Sequence, residues 1–373
     1  MIKNSLVLSV ALVASATSVF AADHSYQALL NQGLRVDGSI PHKITLANHQ
    51  TKIIRLMNVT LSPNVAKQVS ERLTDILQNP FQRGALTLKG QDLPAAKYLG
   101  MNGEQVLDQG EWGTCATFAT TGAINAMLSL SGDAEVSQLC NLELSKTLDG
   151  GDGAWDGSFG YLVFGQINQY GFINKQYQHA TGCGRLKSYP AYSPDDGSAM
   201  TAALFTAHSA LSFDQTDWTP IVSYDGSFAP ITPAQATVAL SNVKAAINQG
   251  YRVVFGSLID GNVGQVGAAG QYDNIANDTW VMTTQIQQDF QNNNPMEGHE
   301  IIIDGYDDNA CATYLDGTST NQQCGLLRIR NSWNTGAGDQ GDYYMTYDHF
   351  KGMVVEAYAI GQDVKDNFKP ISK

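Results

Sequence analysis

DQGEWGTCATFATTGAINAM, residues 108–127, sets one cysteine at the mouth of a helix. From Cys115 onward the apolar and small residues Phe118, Ala119, Ala123, Ile124, Met127 and Leu128 fall on every side of a helical projection. A helix of that kind is buried all round, so the fold has to be built about it. A cysteine at its first turn faces the positive end of the helix dipole, which favours a thiolate.

Working outward, the N-terminal side reads as a smaller unit. The strand-rich run HKITLA, a turn at NHQ and TKIIRLMNVTL form a predicted hairpin over 42–61. Ser62-Pro63 then opens a helix with Val65, Val69, Leu73, Ile76 and Leu77 on one face, and Asn79-Pro80 closes it. On the C-terminal side, helices are predicted over 161–170 and 232–248, each closed by a glycine. Strands follow at 251–258, 299–307, 325–333, 342–347 and 354–360. Helices early and strands late predict an α+β protein with a helical lobe and a sheet lobe. The Gly- and Asn-rich runs DGNVGQVGAAGQYDN and QNNNPMEG read as loops.

Composition narrows the function. Of 373 residues 43% are hydrophobic and 15% charged, a globular mixture, and the net charge of −13 argues against nucleic acid and anionic membrane surfaces. Residues 1–21 pair Lys3 with an apolar run and a small residue at Ala21, the pattern of a secretory signal peptide. No later run is long enough to span a bilayer, so a secreted or periplasmic protein is expected, free of the membrane once the signal is removed. In an oxidising compartment four of five cysteines can pair, leaving Cys115 over from Cys140, Cys183, Cys311 and Cys324.

A thiol needs a base, and His299 is the candidate among seven histidines, at a strand start after a polar loop. His24, His42, His49, His179, His208 and His349 read as solvated or locally bonded. Asn331 offers an amide to hold the imidazole, and Trp333 lies on the same side of its strand as a shield. Gln109, six residues before Cys115, can donate with the Cys115 backbone to a developing oxyanion. His299-Glu300 is no zinc-protease pair, since Ile303 stands where the second histidine is needed. Ser158 lacks the glycine of a serine elbow, and Asp307, Asp308 and Asp316 read as a solvated turn. No metal or organic cofactor is implied.

These residues resemble the papain-like cysteine peptidases, in the form of a secreted bacterial-type member with an N-terminal propeptide. Residues 109–118 resemble that family's QGxCGSCWAF segment, HEIIIDGYD its histidine segment, and NSWNTGAGDQGDY its asparagine segment. The likeness runs in order from about residue 93 to 347. It implies a two-lobe α+β fold, a helical lobe and an antiparallel sheet or barrel lobe with a cleft between them. It implies Cys115 as nucleophile, His299 as acid/base, Asn331 as orienting residue and Gln109 as oxyanion donor. Gly157, Ser158, Gly298 and Trp333 fall where substrate is held. Disulfides Cys140–Cys183, which looks like a family bridge, and Cys311–Cys324 are expected, although four cysteines allow three pairings. The domain expectation is a signal peptide at 1–21, a propeptide at 22–92 that lies over the cleft, and a peptidase domain at 93–373 with insertions near 184–231 and 308–323. Polypeptide substrates, the chain's own propeptide as inhibitor and a monomeric state complete the expectation.

The chain departs from the family pattern at several points. Trp112 replaces a cysteine, Ala116 and Ala337 replace tryptophans, and Glu300 follows the histidine where a small residue is usual. A carboxylate there is expected to point away from the site, because neighbours on a strand alternate faces. His299 and Asn331 follow Cys115 by 184 and 216 residues, against the ~130–150 usual for this layout. Two further readings stay open: a Cys-His-Asn acyl transferase or amidase that is not a peptidase, and a catalytically weak binding protein on the same scaffold.

Overall fold

The computed structural model describes residues 33–82, 93–128, 132–209, 218–224, 226, 228–273 and 275–361. The signal-peptide segment and the linker at 83–92 lie outside them. Among the described residues no helix is long and apolar enough to cross a membrane.

The N-terminal unit is a hairpin, β1 (Leu34–Thr45) and β2 (Thr51–Leu61), followed by helix α1 (Pro63–Gln78). Ser62 caps α1 by accepting from the Val65 N–H, with proline in the first turn where no N–H is missed. A short strand β3 (Ala96–Tyr98) leads to α2 (Cys115–Leu128), buried from Cys115 to Ala126 without interruption. Helices α3 (Gln138–Asp149) and α4 (Gly160–Tyr170) pack on it, and after α5 (Lys175–Thr181) helix α6 (Ala202–His208) packs on α3 and α4. Phe118, Trp155, Ile173 and Phe205 form the core of this helical part, and the Cys140–Cys183 disulfide ties α3 to the segment after α5. Trp112, standing in place of a cysteine, meets Trp155 edge to face and donates to the Pro190 carbonyl.

After β4 (Trp218–Val222) the chain enters α7 (Pro233–Asn248), opened by a capping box in which Thr232 and Gln235 satisfy each other's backbone N–H groups. There follow β5 (Arg252–Ile259), β6 (Ala268–Gln271), β7 (Thr279–Trp280), α8 (Thr284–Gln291), β8 (Met296–Asp316), β9 (Ser319–Arg330), β10 (Asp342–Thr346), α9 (Tyr347–Met353) and β11 (Val354–Ile360). Among the described residues the sheet has eleven strands, ordered β4-β11-β5-β8-β6-β7-β10-β9 along its main path. β8 is its spine, pairing with β2, β3, β5, β6 and β9.

Several local expectations change. The Met296–Gly298 part of the QNNNPMEG run is strand, because β2 supplies it with an antiparallel partner. Ala268–Gln271, read as loop, is strand for the same reason, paired with β7 and β8. At residues 308–323 β8 and β9 run on as a hairpin in one ladder to Asp316 and Ser319, with Cys311 opposite Cys324 and bonded to it. Asp308 is no solvated turn residue, since it takes the Lys244 ammonium at 2.7 Å and the Tyr347 hydroxyl. His349 is fully buried, neither ring nitrogen has a hydrogen-bond partner among the described residues, and burial pushes its imidazole down to about 3.

The hairpin is part of the core. Ile44, Ile54 and Leu56 join the cluster that holds Trp280 and Trp333, while Leu34, Met57 and Val59 join the one that holds Cys115, Phe159 and Leu258. Arg72 of α1 fastens the unit from the other side, donating to the Gly352 carbonyl at 2.6 Å and to the Ile231 carbonyl at 3.3 Å. Replacing Arg72 by Met strands both carbonyls while keeping most of the apolar stem. The variant is expected to lose about 3 kcal/mol in denaturant unfolding, the cost of two buried bonds to a charged donor; a loss below about 1 kcal/mol would show that α1 is not held there.

Candidate active site

Three elements converge at Cys115. The cysteine begins α2, whose first turn is closed by the Phe118 N–H donating to the Thr114 carbonyl. Its sulfur lies against backbone N–H groups of Glu300, Ala116 and its own residue. β8 thus brings the His299–Glu300 peptide to the sulfur, with His299 itself opposite Ser257 of β5. β9 then delivers Asn331: its Oδ1 lies 2.9 Å from His299 Nε2 and also accepts from the Ser332 N–H. An amide oxygen accepts, so Nε2 carries the proton and Nδ1 is the basic nitrogen. Among the described residues Nδ1 has no hydrogen-bond partner, the Cys115 thiol included. Trp333 stacks on the imidazole with centroids 4.8 Å apart and planes at 22°. It covers the His299–Asn331 bond with a buried apolar face.

The hairpin lies over all of this. Met57 pairs with Gly298 and Val59 with Met296, so β2 runs antiparallel along the part of β8 that ends at His299. Gln109 Nε2 donates to the Arg55 carbonyl at 3.3 Å and to the Trp112 carbonyl at 2.9 Å, and its Oε1 accepts from Ser332 Oγ. The donor nominated for an oxyanion therefore already holds a carbonyl of β2. Lys52 bonds Asp108 at 2.5 Å and the Trp333 carbonyl at 3.0 Å. Ser39 bonds Asp156, and Arg55 braces Ser39 through Nε and the terminal nitrogen. Gly157, with φ +120°, lies so close under β1 that a Cβ there would sit 2.8 Å from Val36 Cγ1. Ser158 is buried beside it. All four nominated substrate-binding positions thus lie under the hairpin or at the His299 ring.

Burial sets the protonation of the pair. Removal from water pushes the Cys115 thiol up to about 12; the Glu300 N–H opposes this and the nearby Glu300 carboxyl adds to it. Burial also pushes His299 down to about 4 against the pull of Asn331. The sequence favours an ionised sulfur at a helix N-terminus, but under the hairpin the thiol and imidazole are both neutral. Desolvation outweighs the dipole, which is worth at most ~2 kcal/mol.

Glu300 lies on the face that strand alternation gives it. Its side chain turns away from Asn331, as strand alternation requires, yet it points into the interior rather than to solvent. It faces Glu356 of β11, both fully buried. Glu356 accepts from the Gly160 N–H at 2.7 Å at the start of α4, and Glu300 bonds to the Glu356 carboxyl and lies against the same N–H. Burial first, and Glu356 second, raise Glu300 well above the carboxylate range. Sequence reading missed this pair, although a lone glutamate in the apolar strand VVEAYAI was its signal.

No protein-family model matches the chain, and no curated protein does. Among solved structures it is similar to xylellain, a cysteine protease from Xylella fastidiosa, at 17% identity over 72% of this chain and 87% of that one, TM-score 0.47. It is similar to digestive procathepsin L 3 of the Tenebrio molitor larval midgut, at 16% identity over 79% of each chain, TM-score 0.43. A third is proCathepsin B S9 from Trypanosoma congolense, at 11% identity over 76% of this chain and 82% of that one, TM-score 0.43.

The raised carboxyl carries a linkage consequence. Glu300 holds its proton in the folded chain above the ordinary value of 4.5, so the native state binds more protons than the unfolded one as pH rises past that value. Stability is therefore full at low pH and is lost upward. Glu300→Gln keeps the shape without the charge. It is expected to raise Tm by a few degrees at about pH 8, a gain that shrinks toward zero near pH 4. A gain that is constant across this range would show that Glu300 does not titrate on unfolding.

Proposed function

We propose that the chain is a papain-like cysteine peptidase made as a latent zymogen and exported, with Cys115, His299 and Asn331 as its catalytic triad. The observation that carries the reading is the hydrogen bond from His299 Nε2 to Asn331 Oδ1 under the Trp333 ring, which leaves Nδ1 as the basic nitrogen of a residue whose neighbour, Glu300, sets its N–H against the Cys115 sulfur. The hairpin within 22–92 is the latency device. It occupies the cleft, gives its Arg55 carbonyl to Gln109, and holds the thiol and imidazole away from water.

Cleavage in the linker at 83–92 allows the hairpin to leave and water to enter. The thiol and imidazole then exchange a proton, since solvation is what the ion pair lacked. A peptide takes the place of β2, with its carbonyl oxygen where Arg55 O now lies. The Cys115 sulfur bonds to the carbonyl carbon, and the oxygen takes negative charge against Gln109 Nε2 and the Cys115 backbone. The carbon–nitrogen bond breaks as His299 gives its proton to the leaving amine. Water then attacks the thioester while His299 takes its proton. The carbon–sulfur bond breaks, releasing a carboxylic acid and restoring the thiol. The two disulfides fit an oxidising destination.

Two measurements test this reading. A peptidyl vinyl sulfone is expected to label Cys115 in linker-nicked protein and to leave the full-length chain and Cys115→Ala unlabelled. Equal labelling of nicked and intact protein would end the latency reading, and no labelling of nicked protein the peptidase reading. Asn331→Ala is expected to lower kcat about 100-fold, the scale of a misplaced catalytic group, with KM nearly unchanged; an unchanged kcat would remove Asn331 from the triad.

A further inference from the structure

One short stretch grips the loop that leads into Cys115. Residues 189–192 follow the Cys140–Cys183 disulfide and bond along residues 108–114. The Glu111 N–H donates to the Ala191 carbonyl at 2.8 Å, and Trp112 Nε1 donates to the Pro190 carbonyl at 2.8 Å. Gly110, with φ +60°, packs so closely that a Cβ there would sit 2.0 Å from the Ala191 oxygen. The Tyr192 hydroxyl reaches Asp108 at 2.7 Å. Tyr189 does more than its neighbours, because its hydroxyl meets the loop at both ends. It donates to the Gln109 carbonyl at 2.8 Å and lies 3.0 Å from Thr114 Oγ1.

A phenol has one proton to give. The Gln109 carbonyl can only accept, so it takes that proton, and the Thr114 hydroxyl donates to the Tyr189 oxygen. Burial pushes the phenol well above its ordinary value, so the proton stays in place. The two bonds run in series, from Thr114 to Tyr189 to Gln109, and bonds in series polarise and strengthen each other. The ring is held as well as the hydroxyl. It stacks on Trp155 with centroids 5.6 Å apart and planes at 7°, and it meets Phe118 of α2 edge to face at 4.9 Å. Trp112, which stands where the resembled family has a cysteine, meets the same Trp155 at 5.0 Å. The loop is thus held by rings and hydrogen bonds rather than by a disulfide.

What this tie fixes is the spacing of two donors. Gln109 carries Nε2, and Thr114 directly precedes the Cys115 N–H. Among the described residues only the Arg55 carbonyl binds Gln109 from the hairpin, while Ser332, Trp112 and Tyr189 hold it from the body of the protein. Donors to a developing charge are worth most when they are set in advance and need no reorganisation.

We propose that Tyr189 is a positioning residue for the oxyanion site: its hydroxyl ties the residue that bears one donor to the residue before the other, and so holds Gln109 Nε2 and the Cys115 N–H at a fixed separation. The word oxyanion rests on the peptidase reading; the tie does not.

Tyr189→Phe keeps the ring and its stacking and removes only the hydroxyl. In linker-nicked protein its kcat on a peptide anilide is expected to fall at least about tenfold with KM nearly unchanged, the pattern of an interaction felt in the transition state alone. Cys115 is the cysteine outside a disulfide, and its alkylation by iodoacetamide forms no carbonyl oxyanion. The rate of that alkylation and its pH profile are expected to match wild type, because Tyr189 does not act on the thiol. An unchanged kcat overturns the proposal, and so does an equal fall in kcat and alkylation, which is what loosened packing produces. Thr114→Val breaks the other bond and is expected to lower kcat in the same way, with Thr114→Ser restoring it.

The full-length chain supplies a readout without catalysis. Gln109→Ala keeps the carbonyl that Tyr189 holds and removes the side-chain amide. Tyr189→Phe is expected to lower Tm by at least about 2 °C more in wild type than in the Gln109→Ala background, the scale of one coupled contact; equal losses overturn the proposal. Coupling there, with no turnover by nicked wild type, supports the positioning of Gln109 and tells against the peptidase reading.

Discussion

Exclusion of water from one sulfur and one imidazole governs how this molecule is built. Cys115 begins a helix, the Glu300 N–H lies against its sulfur, and the adjoining His299 is held by the Asn331 amide. The chain then covers them with its own second strand. The hairpin does more than occupy space, because Ile44, Ile54, Leu56, Met57 and Val59 are members of the same apolar clusters as Trp333 and Cys115. Cover and packing are therefore one arrangement. The free energy that orders the cover comes from burying those side chains, at about 25 cal/mol per Å² of apolar surface. Losing that cover means opening part of the core.

The same exclusion acts on a second group. Glu300 and Glu356 meet where the helical part abuts the sheet, and Glu356 is held by the first N–H groups of α4. Glu300 bonds to the Glu356 carboxyl and lies against the Gly160 N–H, so the two carboxyls share one set of donors. Under the hairpin both features point the same way: thiol, imidazole and carboxyl are all held in their neutral forms by lack of water.

Much of this was legible along the chain, and for physical reasons. Thr232-Pro233 and Ser62-Pro63 name their helix starts because caps and prolines act locally. The strand and helix runs about Cys115, His299 and Asn331 were marked by periodicity and composition. The order of those residues suggested what the geometry brings together. What stayed hidden depended on distant partners. Met296–Gly298 reads as polar loop until β2 lies beside it. Glu300 was placed on the correct face of its strand, but no local pattern reveals that the opposite face meets another carboxyl nearly sixty residues later. The thiol's protonation was misread for the same reason, since a dipole is visible in sequence and a lid of water-excluding side chains is not.

One last consequence follows from β8. Within four successive residues it carries the seat for the hairpin at Met296 to Gly298 and the imidazole of His299, with the buried carboxyl of Glu300 next. These functions are sorted only by the two-residue period of an extended chain. Side chains in this stretch can change one at a time while the backbone stays in step. A single inserted or deleted residue, by contrast, would exchange the two faces, sending the imidazole inward and the carboxyl toward the thiol's cleft. The strand is thus a reading frame in three dimensions, tolerant of substitution and closed to indels, and a family descended from this chain should vary in length everywhere except there.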